Sequence, residues 1–210
     1  MKKKIVFIMN PISGTSSKAA VPSLIDSTLD KEQFEYEIKM TERPGHASEL
    51  AAEARDNHAD IVVAVGGDGT VNEVARSLVH SDSALGILPC GSGNGLARHL
   101  LLPMNLKKSI EIINACEIHD LDYGVINEYP FFCTCGMGFD AFVSMKFAES
   151  GKRGPISYAE NILREGLKYE PETYTLEDET GTKQYKAFLI SCANASQYGN
   201  NAYIAPQDLC

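Results

Sequence analysis

The stretch DIVVAVGGDGTVNEVA, residues 60–75, decides how the first half of this chain folds. It opens with a short apolar run that is typical of a buried strand. It closes with Val71, Val74 and Ala75 at helical spacing. Gly-Gly-Asp-Gly-Thr, residues 66–70, stands between the two, directly at the carboxyl end of the strand. The stretch therefore predicts a strand–loop–helix unit whose loop is richer in glycine than an ordinary turn requires.

The same alternation of strand and helix runs through the first half of the chain. The apolar runs IVFIM, IVVAV and LGIL do not alternate with polar residues, as expected of parallel strands that helices cover on both faces. The pattern predicts strands at residues 4–10, 34–40, 60–65 and 84–89, and helices at residues 16–29, 47–57, 71–79 and 106–115. This order predicts a doubly wound α/β sheet.

The pattern changes near residue 120. LDYGVIN, PFFCTCGMG, TYTLED and KAFLISCANA are typical of strands in a second, β-rich unit, with helices predicted at residues 140–149 and 156–168. We therefore expect an α/β nucleotide-binding domain over residues 1–121 and a β-rich domain over residues 122–210.

The composition excludes several classes of function. The chain has 210 residues and a net charge of −9, which gives little electrostatic support to a nucleic acid partner. No apolar run is long enough to span a bilayer, and the five histidines show no metal-ligand spacing. We expect a cytoplasmic protein without a transmembrane segment.

Three predicted strands end in unusual loops. They are NPISG at residues 10–14, GGDGT at residues 66–70 and CGSGNG at residues 90–95. In an open α/β sheet ligands bind outside the carboxyl ends of the strands, so the three loops are expected to share one site. Glycines let backbone N–H groups approach an anion, and phosphate is the natural ligand. Asp68 would repel phosphate unless it holds Mg²⁺ or handles a proton.

A simpler interpretation of GGDGT stays open at this point. Thr70 and Glu73 form a T-x-x-E pattern, which would start the following helix as a capping box without any ligand. Other nucleotide and hydrolase motifs fail. The chain contains no GxxxxGK[ST] and no G-x-S-x-G around Ser92, and its third loop reads G-x-G-x-G.

The motifs NPISG, VGGDGTVNEV and LGILPCGSGNGLAR, in this order, resemble the diacylglycerol kinase catalytic domain family. That family includes bacterial lipid kinases and the sphingosine and ceramide kinases, and it shares GGDGT with the NAD kinases. The resemblance covers essentially the whole chain, including ANASQYGNNAYIAP at residues 193–206. Gly95 stands where many bacterial members have an Asp.

The resemblance implies an ATP site between the α/β domain and a second domain that is β-sandwich-like and here incomplete. Asp68 would be its catalytic carboxylate and Mg²⁺ its cofactor. Asp122 matches an acidic residue of the family's cleft network, with a surface Asp at a strand edge as the alternative. The residues that match ATP-contact positions, or that lie in the matching loops, are Asn10, Pro11, Ser13, Gly14, Thr41, Gly66, Gly67, Asp68, Gly69, Thr70, Asn72, Glu73, Gly91 and Ser92.

The implied reaction transfers the ATP γ-phosphate to the hydroxyl of a diacylglycerol-like or sphingoid lipid, as in phospholipid biosynthesis. The family's D-G-x-L-D segment after the IAP turn has no counterpart, because the sequence reads IAPQDLC at residues 204–210, so we expect a truncated second domain. Two alternatives remain, a soluble kinase of the NAD kinase type and a nucleotide-binding remnant without turnover.

A lipid substrate implies work at a membrane surface. Lys152 and Arg153, in the predicted turn GKRG, are candidates for contact with the inner face of the membrane, although a charge pair in a turn is usually only solvated. An uncovered strand edge in the second domain would favour a homodimer.

Overall fold

The structure is a computed structural model that describes residues 2–14, 18–139, 141–142 and 169–205. Its elements up to residue 115 are β1 (Lys3–Met9), α1 (Val21–Thr28), β2 (Phe34–Met40), α2 (His46–Asp56), β3 (Ile61–Gly66), α3 (Asp68–Leu78), β4 (Ala84–Pro89), α4 (Gly95–His99) and α5 (Leu106–Ala115). The later strands are β5 (Gly124–Ile126), β6 (Tyr129–Phe131), β7 (Thr134–Gly138), β8 (Glu172–Asp178), β9 (Gly181–Ala187), β10 (Leu189–Ala193), β11 (Gln197–Gly199) and β12 (Ala202–Tyr203).

Strands β1 to β4 form one parallel sheet in the order β2-β1-β3-β4. The central strand β3 is buried along its whole length, which explains why its sequence is apolar without alternation. Parallel strands joined by helices confirm the predicted α/β fold. Because the strands run in the same direction, the carboxyl ends of β1, β3 and β4 lie at one edge of the sheet.

Helices pack on both faces of this sheet. Strand β1 contributes to both layers, since successive side chains of a strand point to opposite faces. Its Ile8 clusters with Val74 of α3 and with alanines of α2. Its Phe7 clusters with Ile25 of α1 and Ile110 of α5. The five numbered side chains are each 0% exposed. Two apolar layers therefore hold the sheet and fix the position of its carboxyl edge.

The predicted elements of this half agree with the structure within a few residues, except around the loops. Helix α3 begins at Asp68, whereas the sequence predicted a start at residue 71. Helix α4, which begins at Gly95 directly after the third loop, was not predicted. The part of the predicted first helix at residues 16–17 lies outside the described residues, and α1 begins at Val21.

The later strands pair in two-stranded antiparallel sheets, β5 with β6, β7 with β10, β8 with β9, and β11 with β12. PFFCTCGMG divides between β6 and β7, and KAFLISCANA between β9 and β10. The predicted helix 156–168, nearly all of the predicted helix 140–149, and the turn with Lys152 and Arg153 lie outside the described residues. Among the helices that the structure does describe, none is both long and apolar enough to cross a membrane.

The chain forms two compact units. The first contains Met1–Cys133 together with Asn194–Cys210, and the second contains Thr134–Ala193. These limits differ from the predicted boundary between residues 121 and 122, because the chain returns to the first unit after β10. The assignment of nucleotide and lipid binding to separate domains remains a prediction.

Candidate functional site

The first and third loops are in direct contact. Gly14 adopts a φ of +71°, and a Cβ at this position would overlap the carbonyl oxygen of Cys90. Only glycine satisfies both the left-handed backbone and the close approach. The first loop also reaches the second, where Asn10 Nδ2 lies 3.4 Å from Thr70 Oγ1.

The second and third loops meet backbone against backbone. A Cβ at Gly67 would lie 3.0 Å from the Cα of Gly91, and a Cβ at Gly91 would overlap the Cα of Gly67. Gly66 is equally confined, because a Cβ there would lie 2.5 Å from the Cβ of Thr70. Gly14, Gly67 and Gly91 are therefore required by close packing of the loops on each other, and Gly66 by packing within its own loop.

The carboxylate of Asp68 joins the second loop to the third. Its Oδ2 accepts the N–H of Asn94 at 2.8 Å, and its Oδ1 accepts the N–H of Gly95 at 2.6 Å. These two groups start helix α4, so the carboxylate acts as a cap supplied from a distant part of the sequence.

Asn94 closes the third loop on itself. Its Oδ1 accepts the N–H of Gly91 at 2.9 Å, and its Nδ2 donates to the Gly91 carbonyl at 2.9 Å. Asn94 adopts a φ of +54°, a left-handed conformation that Asn tolerates better than most residues. Sequence analysis did not select Asn94, although its position between two loop glycines is a signal for such a turn.

Helix α3 begins without a side-chain cap. Its N-cap residue is Gly67, and within the described part of the chain no acceptor bonds the backbone N–H groups of Asp68, Gly69 or Thr70. A Cβ at Gly69 would meet nothing within 4 Å, so the space beside this turn is open. Free N–H groups at the positive end of a helix form an anion site.

The capping-box interpretation of Thr70 and Glu73 is wrong. The Glu73 carboxylate leaves its own helix and accepts the N–H of Gly45 and the N–H of Ala47, each at 3.2 Å. It thereby caps the start of α2, and the Ser48 hydroxyl donates to the Glu73 carbonyl at 2.8 Å. Glu73 thus ties α2 to α3 and is not aimed at the start of α3.

A buried lysine supports the first loop. Lys18 is 7% exposed and donates to the carbonyl of Asn10 at 2.8 Å and to Ser13. Burial raises the pKa of the Cys90 thiol, and the positive charge of Lys18 partly opposes that rise. Sequence analysis missed Lys18, since a single Lys beyond a loop carries no spacing signal.

The remaining predicted residues are distributed unevenly. Thr41 is 9% exposed, and its N–H bonds the Met9 carbonyl at 2.9 Å, which places it beside the end of β1. Pro11 and Ser92 are exposed in their loops, and Asn72 is half-buried on α3. Asp122 is exposed, and its carbonyl accepts from Asn194 at 2.8 Å. Within the described residues, no contact joins the Asp122 side chain to the loops, so its site role stays a prediction.

The returning segment, residues 194–205, packs on the third loop and α4. Gly199 bridges to Asn94, and the N–H of Asn200 donates to the Gly93 carbonyl at 3.2 Å. His99 Nδ1 accepts the N–H of Ser196 at 3.0 Å. A Cβ at Gly95 would lie 2.8 Å from the Tyr198 carbonyl oxygen, so an Asp could not occupy position 95 without displacing this segment.

The described residues contain no group of three or more His, Cys, Asp or Glu side chains that could hold a metal ion. Asp68 is the carboxylate nearest to the open turn of α3.

Comparisons with known proteins bear on the family. A family model described as the diacylglycerol kinase catalytic domain matches residues 4–126. A protein named probable lipid kinase YegS, from Escherichia fergusonii, is 29% identical over 188 residues, covering 86% of this chain and 63% of that protein. A diacylglycerol kinase from Staphylococcus saprophyticus is 32% identical over 163 residues, covering 75% of this chain and 53% of that protein. The chain thus spans less than two thirds of either relative.

The fold has a close match among solved structures. A crystal structure of a diacylglycerol kinase from Bacillus anthracis superposes with a TM-score of 0.74 over 99% of this chain and 70% of that chain, at 23% identity.

Proposed function

Since the chain belongs to the family of the diacylglycerol kinase catalytic domain, we propose that it binds MgATP at the three loops. It then transfers the γ-phosphate to the hydroxyl of a diacylglycerol-like or sphingoid lipid. The observation that carries the proposal is the convergence of the loops after β1, β3 and β4, which touch through Gly14, Gly67 and Gly91.

The residues present fit a phosphate group. The open start of α3 offers N–H groups from Asp68 to Thr70, and the missing side chain of Gly69 leaves room beside them. Phosphate at a helix N-terminus is stabilised both by these donors and by the helix dipole. Packing of the loops fixes the donors in advance, and fixed donors contribute to phosphoryl transfer mainly by positioning.

Magnesium fits the same place only as a partner of the phosphates. Mg²⁺ commonly takes one or two carboxylates and completes its shell with phosphate oxygens and water. Each Asp68 oxygen accepts one N–H and retains a further lone pair, so Asp68 is the residue that would hold the ion, directly or through water. When bound, the ion would neutralise charge that develops on the transferred phosphoryl group.

Besides holding the ion, Asp68 has two candidate roles, and kinetics separates these two. Its hydrogen bonds support a positioning role, in which the carboxylate fixes the third loop for ATP. As a proton acceptor, which is one of the two roles that the sequence leaves open for this residue, it would act on the lipid hydroxyl. Loss of positioning would raise the KM for ATP, whereas loss of a proton acceptor would lower kcat with ATP affinity retained.

The test of function measures transfer of labelled γ-phosphate from MgATP to a mixed lipid extract and, separately, to NAD. The Asp68→Asn variant serves as the matched control. Label in lipid with the natural chain only would support the proposal. Label in NAD would instead favour the NAD kinase type. MgATP binding without transfer to either acceptor would make this chain a nucleotide-binding remnant.

A further inference from the structure

Helix α4 ends on a leucine in a conformation that normally belongs to glycine. Leu101 has a φ of +56°. Its N–H donates to the Arg98 carbonyl at 3.1 Å, and the N–H of Leu102 donates to the Ala97 carbonyl at 2.8 Å. This pair of bonds forms the helix ending that places a left-handed residue just past the helix, usually Gly. A branched apolar side chain is strained there.

Burial does not compensate for this strain. The Leu101 side chain is 89% exposed, more than any other large apolar residue in the described ranges. Glycine would be the better residue for stability at this position, and a polar residue would be better for solubility. Neither packing nor hydrogen bonding of the side chain offsets this strain. The strain therefore points to a role for Leu101 other than stabilising the fold.

The stretch of sequence around Leu101 is basic, although the chain as a whole carries a net charge of −9. No Asp or Glu occurs between Asp82 and Glu111, whereas this stretch holds Arg98 and the adjacent exposed pair Lys107 and Lys108. The link between α4 and α5, residues 100–105, is held against α5, because the Ser109 hydroxyl donates to the Pro103 carbonyl at 2.7 Å. The lysines at the start of α5 therefore follow directly on the link that carries the exposed leucine.

This link lies at the same sheet edge as the phosphate loops. Helix α4 follows the third loop directly, and Arg98 Nε donates to the Gly93 carbonyl at 3.1 Å. Helix α5 returns along the sheet from this edge, as crossover helices do in a doubly wound fold. A surface that holds Leu101 is thus close to the place where a lipid hydroxyl would have to meet ATP.

We propose that the α4–α5 link is an interfacial contact with an anionic lipid bilayer. Leu101 enters the boundary between head groups and acyl chains, and Arg98, Lys107 and Lys108 contact anionic head groups. An apolar side chain that projects among cations is the arrangement that peripheral membrane segments use. The proposal rests on the proposed lipid substrate and specifies how this chain reaches it.

The absence of tryptophan from the sequence allows a direct test. Leu101→Trp introduces a single tryptophan, whose emission is recorded with vesicles of phosphatidylcholine and phosphatidylglycerol at 3:1 and with phosphatidylcholine alone. We expect a blue shift with the anionic vesicles. The matched control is Ile118→Trp, at a site that is 62% exposed beyond the opposite end of α5, where no shift is expected.

Two further variants separate insertion from charge. Leu101→Gly removes the strain, so it should raise the thermal midpoint while weakening vesicle binding about tenfold. Lys107→Ala and Lys108→Ala should each weaken binding to anionic vesicles about fivefold, with less effect at high salt. Phosphorylation of a short-chain lipid in detergent should be unchanged in Leu101→Gly and should fall only on vesicles.

Several results would overturn the proposal. An unshifted Leu101→Trp emission with anionic vesicles would do so, as would wild-type vesicle binding by Leu101→Gly. Emission that is already blue without lipid, and that depends on protein concentration, would show that a second copy covers Leu101 instead. Vesicle binding is measured without ATP, so it tests this contact separately from kinase activity. A chain that binds anionic vesicles but transfers no phosphate would support the membrane contact and contradict the proposed kinase activity.

Discussion

Helices α2 and α3 are neighbours on the same face of the sheet, yet the backbone N–H groups of their first turns differ in whether they have an acceptor. The start of α2 is closed by the Glu73 carboxylate, which accepts the N–H groups of Gly45 and Ala47. The start of α3 has no acceptor in the described structure, and the glycine loops meet beside it.

The difference fits the anion-binding role that we propose for the first turn of α3. A helix start that only has to be stable takes a carboxylate from a neighbouring element, because unpaired N–H groups are costly. A helix start that has to bind an anion must keep those groups free. Asp68, the first residue of α3, agrees with this distinction, since its carboxylate oxygens accept N–H groups of the third loop and not of its own helix.

The largest effect is expected from a substitution whose new side chain overlaps the neighbouring loop. In Gly91→Ala the new Cβ would overlap the Cα of Gly67 and lie 2.8 Å from Asn94 Oδ1. We expect the free energy of unfolding to fall by about 3 kcal/mol and ATP binding to be lost. Denaturant unfolding and isothermal titration with MgATP measure the two effects. Retention of wild-type ATP affinity would show that the loop contact is not part of the site.

A smaller effect is expected from releasing the third loop. Asp68→Ala removes both acceptors for the N–H groups of Asn94 and Gly95, at a cost of about 2 kcal/mol in stability. Hydrogen exchange at these two amides should accelerate, and the dissociation constant for ATP should rise. If the amides exchange as in the natural chain, the hydrogen bonds to Asp68 do not hold the loop in solution.

Weakening the cap on the first turn of α2 should lower stability and leave ATP binding unchanged. Glu73→Gln weakens the cap on α2, because a neutral amide accepts hydrogen bonds less strongly than a carboxylate, and we expect a loss of about 1 kcal/mol. ATP affinity should stay within about twofold of the natural chain, since α3 keeps its free N–H groups. A large loss of ATP affinity would indicate that Glu73 contacts the nucleotide, as the family resemblance implies. It would contradict the interpretation that Glu73 only caps α2.

The smallest effect is expected at Gly69, where a Cβ meets open space. Gly69→Ala should raise the free energy of unfolding by about 0.5 kcal/mol, because Ala is the better helix former. With Gly91→Ala it forms a matched pair of glycine substitutions in adjoining loops. Destabilisation by Gly69→Ala would mean that the first turn of α3 is more crowded than the structure shows.

Most of the first-half fold could be predicted from the sequence because its signals are local. The apolar run of β3 and the spacing of Val71, Val74 and Ala75 need no information from elsewhere in the chain. Helix α4 escaped prediction because its five residues are too few to show a period. Its start is stabilised by Asp68, which is distant in sequence.

The sequence predicted which loops form the candidate site, but not the contacts that join them. Glycine content and the family motifs identified the three loops, whereas nothing in a single sequence pairs Asp68 with Asn94, or Gly95 with Tyr198. Glu73 shows the opposite failure. A local pattern predicted a capping box, and a tertiary partner on α2 took the carboxylate instead. Local rules hold only when no stronger partner competes.

The pairing of the third loop with the returning segment has a consequence for synthesis of the chain. His99 and its partner Ser196 are separated by 97 residues. At about 5 to 20 residues per second, Ser196 is made about 5 to 20 s after His99 and leaves the ribosome later by the same interval. During that interval the third loop and α4 lack one of their supports, so nascent chains stalled before Ser196 emerges should be cut by protease near α4, and longer ones should be protected.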